Sequence, residues 1–384
     1  MSFRYQHLLN FAALTAIAFF ICQRTAATAE TVDVKQLSDV IKQVGPKGAG
    51  HEQAIAALRA LSKADGTQIP QMLASLDGAD ILAANWLRPA IESVVDHHSN
   101  VPWQKIREFL GEPDHSQFGR RLAYELLVAH DPKLVDELLP NMLDDTSLEN
   151  RRDAVDWYLK QVASIDKTAQ KSQAIEAYQK GLDKARAVDQ IESIVKTLAE
   201  MGVKVDITQR LGFLVEWNLI GPFDNTGQQG FDVAYAPEKK IDLNETLLGK
   251  EGKVSWSKAK TDKEFGIVDL AELQDKFKGA ITYAYRDFIS DKDQPAEIRL
   301  GCINANKVWL NGELVISNNV YHAGMDVDQY IASVNLKKGK NAILVKVCQN
   351  EQDENWAQRW QFQLRVCDAT GKAVYSQDSG KNNL

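Results

Sequence analysis

The sequence predicts an α+β, multidomain chain, an α-helical N-terminal part followed by a C-terminal β-sandwich or jelly roll. Three observations predict it. From about residue 31 to 202 the apolar residues recur with helical period. Near Val203 that period gives way to short runs rich in β-branched and aromatic residues. Within those runs, Val308-Trp-Leu310 and Leu314-Val-Ile316 are joined at Asn311-Gly312. Asn-Gly is the strongest short-range hairpin signal, because a type I′ turn needs φ > 0 at both central residues.

Taken in order, residues 1–29 have the layout of a secretory signal peptide. Arg4 supplies the positive start, Leu8 to Cys22 is apolar apart from Asn10 and Thr15, and Ala27-Thr28-Ala29 offers a small-residue cleavage site before Glu30. The apolar stretch is shorter than the ~20 residues of a membrane span. The expectation is therefore an exported protein, periplasmic or extracellular, with no stable membrane span after cleavage. The formal net charge is −7, and losing Arg4 and Arg24 makes the mature chain more acidic. No basic run exceeds Lys337-Lys338. That argues against a nucleic-acid partner, since phosphate contacts need clustered Lys and Arg. The 384 residues suffice for two or three domains with proper cores.

Residues 30–204 read as an α-helical repeat domain. Helix-length stretches run over His51–Ser62, Ile81–His97, Gln117–His130, Pro132–Leu143, Leu148–Val162 and Ala169–Ala185. Gly119-Arg-Arg-Leu-Ala-Tyr-Glu-Leu-Leu127 is echoed by Asn150-Arg-Arg-Asp-Ala-Val-Asp-Trp-Tyr-Leu159, with the acidic turn Asp144-Asp145 between them. This alternation resembles HEAT-type repeats, in which helical pairs stack because one pair cannot bury its apolar face.

Residues 205–384 read as the sandwich. Phe213–Ile220 is a strand that Gly221-Pro222 should break. Val254–Trp256 and Ile281–Tyr285 follow, residues 262–278 read as loop with one helical turn, and Lys338-Gly-Lys-Asn341 turns into the strand Ala342–Val347. By alternation, Cys302 lies on an apolar face. Cys348 lies with Lys346 and Cys367 with Arg365 on polar faces. A direct hairpin of 342–348 with 360–367 sets Cys348 opposite residue 360, too far from Cys367 for a disulfide. An odd count of three mature cysteines leaves at least one thiol unpaired in any case.

The V-W-L-N-G hairpin followed by L-K-K-G-K-N-A-I-L-V-K-V resembles the galactose-binding-like β-sandwich that serves as the sugar-binding module of family 2 glycoside hydrolases. With W-N-L-I-G-P-F-D-N at 217–225 and C-Q-N-E at 348–351, the chain also looks like exported planctomycete-type proteins that carry helical repeats in front. The resemblance covers roughly residues 205–375. In the enzymes the module is an accessory to a catalytic barrel. No barrel is present in this sequence, so catalysis does not carry over.

Catalytic signatures are absent from the sequence. There is no G-x-S-x-G, His51-Glu52 lacks the second His of H-E-x-x-H, Gly249–Lys253 lacks the Walker spacing, and there is no C-x-x-C. Two loops combine aromatic residues with amides and carboxylates, as sugar sites do. They supply the candidate ligand-binding residues Tyr321, His322, Asp326, Asn350, Glu351 and Trp356. Asp224, Asn225 and Asp232, near glycine turns, are candidate oxygen ligands for a structural Ca²⁺; no other cofactor is expected. The reading is a non-catalytic exported protein that recognises carbohydrate, its helices a scaffold or protein-binding surface. The alternatives are a structural or assembly protein of the cell envelope that binds a protein partner and no sugar, and, third, a glycan-active enzyme.

Overall fold

A computed structural model describes residues 32–378. Residues 1–29, where the sequence leads one to expect a signal peptide, lie outside the described residues. Two compact units divide the chain, residues 1–132 and 133–384, and no described helix is long and apolar enough to cross a membrane.

The first unit is helical: α1 Val34–Ile41, α2 His51–Leu61, α3 Ile69–Ala74, α4 Ile81–His97, α5 Trp103–Gly111 and α6 Gln117–His130. Side-chain caps set the starts. Asp33 accepts from Gln36 N, Asp80 from Ala83 N at 2.7 Å, and Ser116 from Gly119 N at 3.2 Å. Each satisfies a backbone donor that the first helical turn cannot pair. Ile41, Leu61, Ile69, Met72, Leu73, Leu87, Ile91 and Ile106 are completely buried between the helices.

In the second unit, the single helix expected over Pro132–Leu143 is instead a 3₁₀ turn, the short α7 Val135–Leu138 and another 3₁₀ turn, Leu139–Asn141. Pro140 has no N–H to continue an α-helix. There follow α8 Leu148–Val162, α9 Lys171–Lys184, α10 Val188–Glu200 and α11 Ile207–Leu211. They share a core of Val155, Tyr178, Leu182, Ile191, Ile194, Leu198 and Phe213. The two echoed segments are locally alike. Ser116 and Ser147 cap their helices, and the buried Arg120 and Arg151 donate to the carbonyls of Glu112 and Asp145 in the preceding turns.

The strands then run β1 Glu216–Asp224, β2 Thr246–Gly249, β3 Gly252–Ser255, β4 Ser257–Lys260, β5 Val268–Asp269, β6 Ala280–Ser290, β7 Gln294–Cys302, β8 Ala305–Leu310, β9 Glu313–Asn318, β10 Tyr330–Leu336, β11 Gly339–Gln349 and β12 Gln361–Cys367. All pairings are antiparallel. A six-stranded sheet in the order β4-β1-β6-β11-β8-β9 faces a four-stranded sheet in the order β10-β7-β12-β5, and β2 and β3 form a separate ribbon. Between the sheets lie Leu219, Phe288, Ile298, Leu300, Val308, Ile343, Val345, Val347, Trp360, Phe362 and Leu364. The chain is thus α+β, helices first and an antiparallel sandwich second.

The β8–β9 hairpin turns at Asn311 (φ 52°) and Gly312 (φ 85°), as a type I′ turn requires. Strand β1 does not stop at Gly221-Pro222. It runs through to Asp224, because the proline falls in a bulge between Ile220 and Phe223 where the ladder to β6 skips. Strands β11 and β12 are not a hairpin; they belong to opposite sheets.

Both outer faces of the sandwich are covered, which overturns the solvent-facing placement of Cys348 and Cys367. Cys348 sits with Phe223, Tyr283 and Leu344 under the 226–256 excursion, against Phe231, Tyr235 and Trp256. Cys367 and Arg365 lie on the other outer face, where Phe213 and Ala373 bridge to the sheet and Arg365 donates to Leu211 O. All three thiols are buried and free. Cys302 is in the core, as its alternation predicts.

Candidate functional site

At one end of the six-stranded sheet, β1 and β11 finish on either side of the start of β6, with Asp224 opposite Ala280 and Ala280 opposite Gln349. The loops leaving these strands meet there. Asn225, completely buried, donates its side-chain amide to Tyr321 Oη at 3.0 Å and to Gln349 O at 2.9 Å. Gly227 N donates to Glu351 Oε1 at 2.6 Å. Burial pushes the Tyr321 phenol up to about 12.

His322 takes φ = 57°, a left-handed conformation that costs a non-glycine residue on the order of 1 kcal/mol. That turn brings its ring to Asn350 and Trp356. Nε2 lies 3.1 Å from Asn350 Oδ1. The same oxygen accepts from Gln352 N, while Asn350 Nδ2 donates to Gln352 Oε1 at 2.8 Å. The Asn350 orientation is thereby fixed, so His322 Nε2 donates to Asn350 Oδ1. The His322 and Trp356 rings are near-perpendicular, centroids 4.9 Å apart. Trp356, in the 3₁₀ turn Asn355–Gln358, remains 53% exposed. Two buried polar atoms here have no partner among the described residues: Asn225 Oδ1 and His322 Nδ1.

Five of the six candidate ligand residues, Tyr321, His322, Asn350, Glu351 and Trp356, are therefore in one loop cluster. Asp326 is not joined to them. It is exposed, and its backbone carbonyl packs over Gly301. Its neighbour Asp328 is a structural acid, bonded to Arg299 at 2.7 Å and to Arg365.

Of the oxygens proposed for calcium, one, Asp224 Oδ1, already faces a cation of the protein itself. Lys250 Nζ lies 2.6 Å from Gly279 O, 2.8 Å from Lys278 O, 3.4 Å from Thr226 Oγ1 and 3.4 Å from Asp224 Oδ1. Asp224 also accepts from the Thr226 hydroxyl and N–H, and these bonds lead in holding its carboxyl below the usual range. Asp232 is elsewhere, paired with Lys307 at 3.0 Å. Among the described residues no three of His, Cys, Asp or Glu gather to hold a metal. The residues present do not fit a calcium ion in addition to the ammonium.

Sequence reasoning missed Lys250, Gly279 and Gln349 as members of this cluster. A Cβ on Gly279 would stand 2.8 Å from Glu351 Oε1 and 3.0 Å from Lys250 Nζ. Gln349 ties the loops from below, accepting from Asn304 Nδ2 and donating to Ala357 O. Only Gln349 had a visible signal, its place next to Asn350 and Glu351.

No family model and no curated protein matches this chain. Solved structures give distant likenesses. A β-glucosidase from Kluyveromyces marxianus in complex with glucose is 18% identical over 41% of this chain and 16% of that one, with a TM-score of 0.21. An anti-sigma factor domain-containing protein is 11% identical over 42% and 45%, TM-score 0.25. The PA14 domain of the antifreeze protein MpAFP is 11% identical over 48% and 83%, TM-score 0.20. The matched region thus spans under a fifth of the β-glucosidase and under half of the anti-sigma factor protein.

Proposed function

We propose that this is an exported, non-catalytic binding protein whose sandwich, of the galactose-binding-like type, recognises carbohydrate at the loop cluster around Trp356. The observation that carries the reading is the half-exposed indole held against His322 and set among Asn350, Glu351 and Gln352. An aromatic face stacks on the apolar face of a sugar ring, and planar amides and carboxylates take its hydroxyls. The helices of the chain serve as scaffold or as a protein-binding surface.

The carboxylates speak for binding over hydrolysis. Retaining glycosidases hold two carboxyls ~5–5.5 Å apart on either side of the scissile bond. Here Glu351 caps Gly227 N and Asp328 is spent on two arginines. The test is a glycan array on the exported protein and its Trp356→Ala variant, with near-ultraviolet circular dichroism to verify the fold. Binding by the wild type and its loss in the variant is expected. No glycan bound, or binding that survives the substitution, would reject this site and favour an assembly protein whose sandwich is only a packed domain.

A further inference from the structure

The second unit carries another concavity, a cleft of about 430 Å³ between the turn from α9 to α10, the end of α11 and the 371–375 segment. Its charges do not balance. Lys184 is paired with Asp144, Arg210 with Asp183, and Arg365 with Asp328. Arg186 and Lys372 line the same cleft, and neither forms an ion pair among the described residues.

Arg186 is held by backbone alone. Its Nη1 donates to Asp183 O at 2.9 Å and Ala185 O at 2.8 Å, and its buried Nε has no partner. Behind it stands Arg151, 5% exposed, whose Nε donates to Asp145 O and which also forms no ion pair among the described residues. Burial, and then the Arg151 charge, push the Arg186 guanidinium below its ordinary value. The neighbouring acid, Asp368, spends Oδ1 on the N–H groups of Thr370 and Lys372 and on the Thr370 hydroxyl. A buried cation without a carboxylate is costly, and a planar guanidinium fixed by carbonyls presents its remaining donors in the geometry that oxyanions take. Such a surplus is unexpected in a chain of net charge −7.

We infer that this cleft is an anion site, taking a compact oxyanion, a phosphate or a carboxylate group, between Arg186 and Lys372. The test is calorimetric titration of the whole exported protein with inorganic phosphate and, separately, with succinate, each to about 10 mM. Saturable binding is expected with at least one. It should weaken about tenfold in Arg186→Gln, be reduced in Lys372→Gln, and fade as salt rises from about 0.05 to 0.5 M. Lys258→Gln removes one exposed charge on the sheet and should bind as wild type. Binding of phosphate alone or succinate alone identifies the source of the oxyanion. Lys372 is on an exposed turn, so its variant reports even if Arg186→Gln misfolds. No saturable heat with either anion, or equal loss in Lys258→Gln and Lys372→Gln, overturns the assignment.

Discussion

Asn311 and Asn341 are joined side chain to side chain, Nδ2 to Oδ1 at 3.0 Å. Asn311 Oδ1 also accepts from Ala342 N, and the buried Asn341 pins its own turn by accepting from Lys337 N and donating to Lys337 O and Gly339 O. The β8–β9 turn and the turn into β11 are therefore one hydrogen-bonded corner of the sandwich. The V-W-L-N-G hairpin and the L-K-K-G-K-N segment both serve this corner. Their recurrence in a sequence reports architecture.

The first prediction concerns Gly312. A Cβ there meets nothing within 4 Å. Gly312→Val should therefore act through backbone strain alone, lowering stability by roughly 1–3 kcal/mol, and Gly312→Asn, which tolerates positive φ, by much less. Urea denaturation monitored at the tryptophans measures both. Equal midpoints for the two variants would contradict the turn assignment.

Asp328 should show its partners in acid. Burial alone raises its carboxyl, and the Arg365 and Arg299 guanidiniums overcome that and hold it below the usual range. A carboxyl whose folded value is depressed contributes stability above its unfolded value, about 3.9, and loses it as pH falls through the folded value. Asp328→Asn should cost about 3–5 kcal/mol near neutrality, since the buried Arg365 loses its carboxylate and Arg299 is left with Glu297 alone. The gap to wild type should close in the acid range. A gap that stays constant down to acid unfolding would contradict the ion-pair role.

Lys346 is completely buried on the outer face of the six-stranded sheet. Its ammonium donates to Phe231 O, Val233 O and Glu238 Oε1, each at 2.9 Å, and Glu238 also accepts from Tyr283 Oη. Lys346→Met should destabilise by about 3–5 kcal/mol, because it leaves Glu238 charged and unpaired. Adding Glu238→Gln should restore at least about 1 kcal/mol, since the amide still accepts from Tyr283 without a charge. A double variant no more stable than the single one would show that the carboxylate is not the source of the cost.

The thiols give a simpler readout. Burial pushes Cys302 and Cys348 up to about 12 and Cys367 up to about 11. The thiolate is the reactive form, so all three should resist a thiol-specific reagent at pH 8 and react together on unfolding. Rapid labelling of any one in the native protein would show that its covering segment opens.

Helix limits were legible where a side chain writes them. Asp80, Ser116 and Ser147 cap α4, α6 and α8, and those helices begin where the sequence places them. The Asn311-Gly312 turn was legible because few other residue pairs accept two positive φ values. Strand alternation correctly set Lys346 and Cys348 on the face opposite Ile343, Val345 and Val347. It could not show that residues 226–256 fold back over that face, since a period of two reports sidedness and never what lies beyond the sheet. For the same reason alternation could not decide whether the 342–348 and 360–367 runs pair directly; the chain crosses between sheets there. In the loop cluster the aromatic and amide residues stood out by composition. Lys250 did not, because nothing local marks a lysine whose partners are carbonyls 28 and 29 residues away.

That lysine changes what the loop cluster depends on. An inorganic ion drawn to the same oxygens would exchange with the medium, and the order of the loops would rise and fall with its concentration. A cation carried on the chain has no dissociated form while the protein stays folded. The turns that carry Asp224, Thr226, Lys278 and Gly279 are thus drawn together by folding itself.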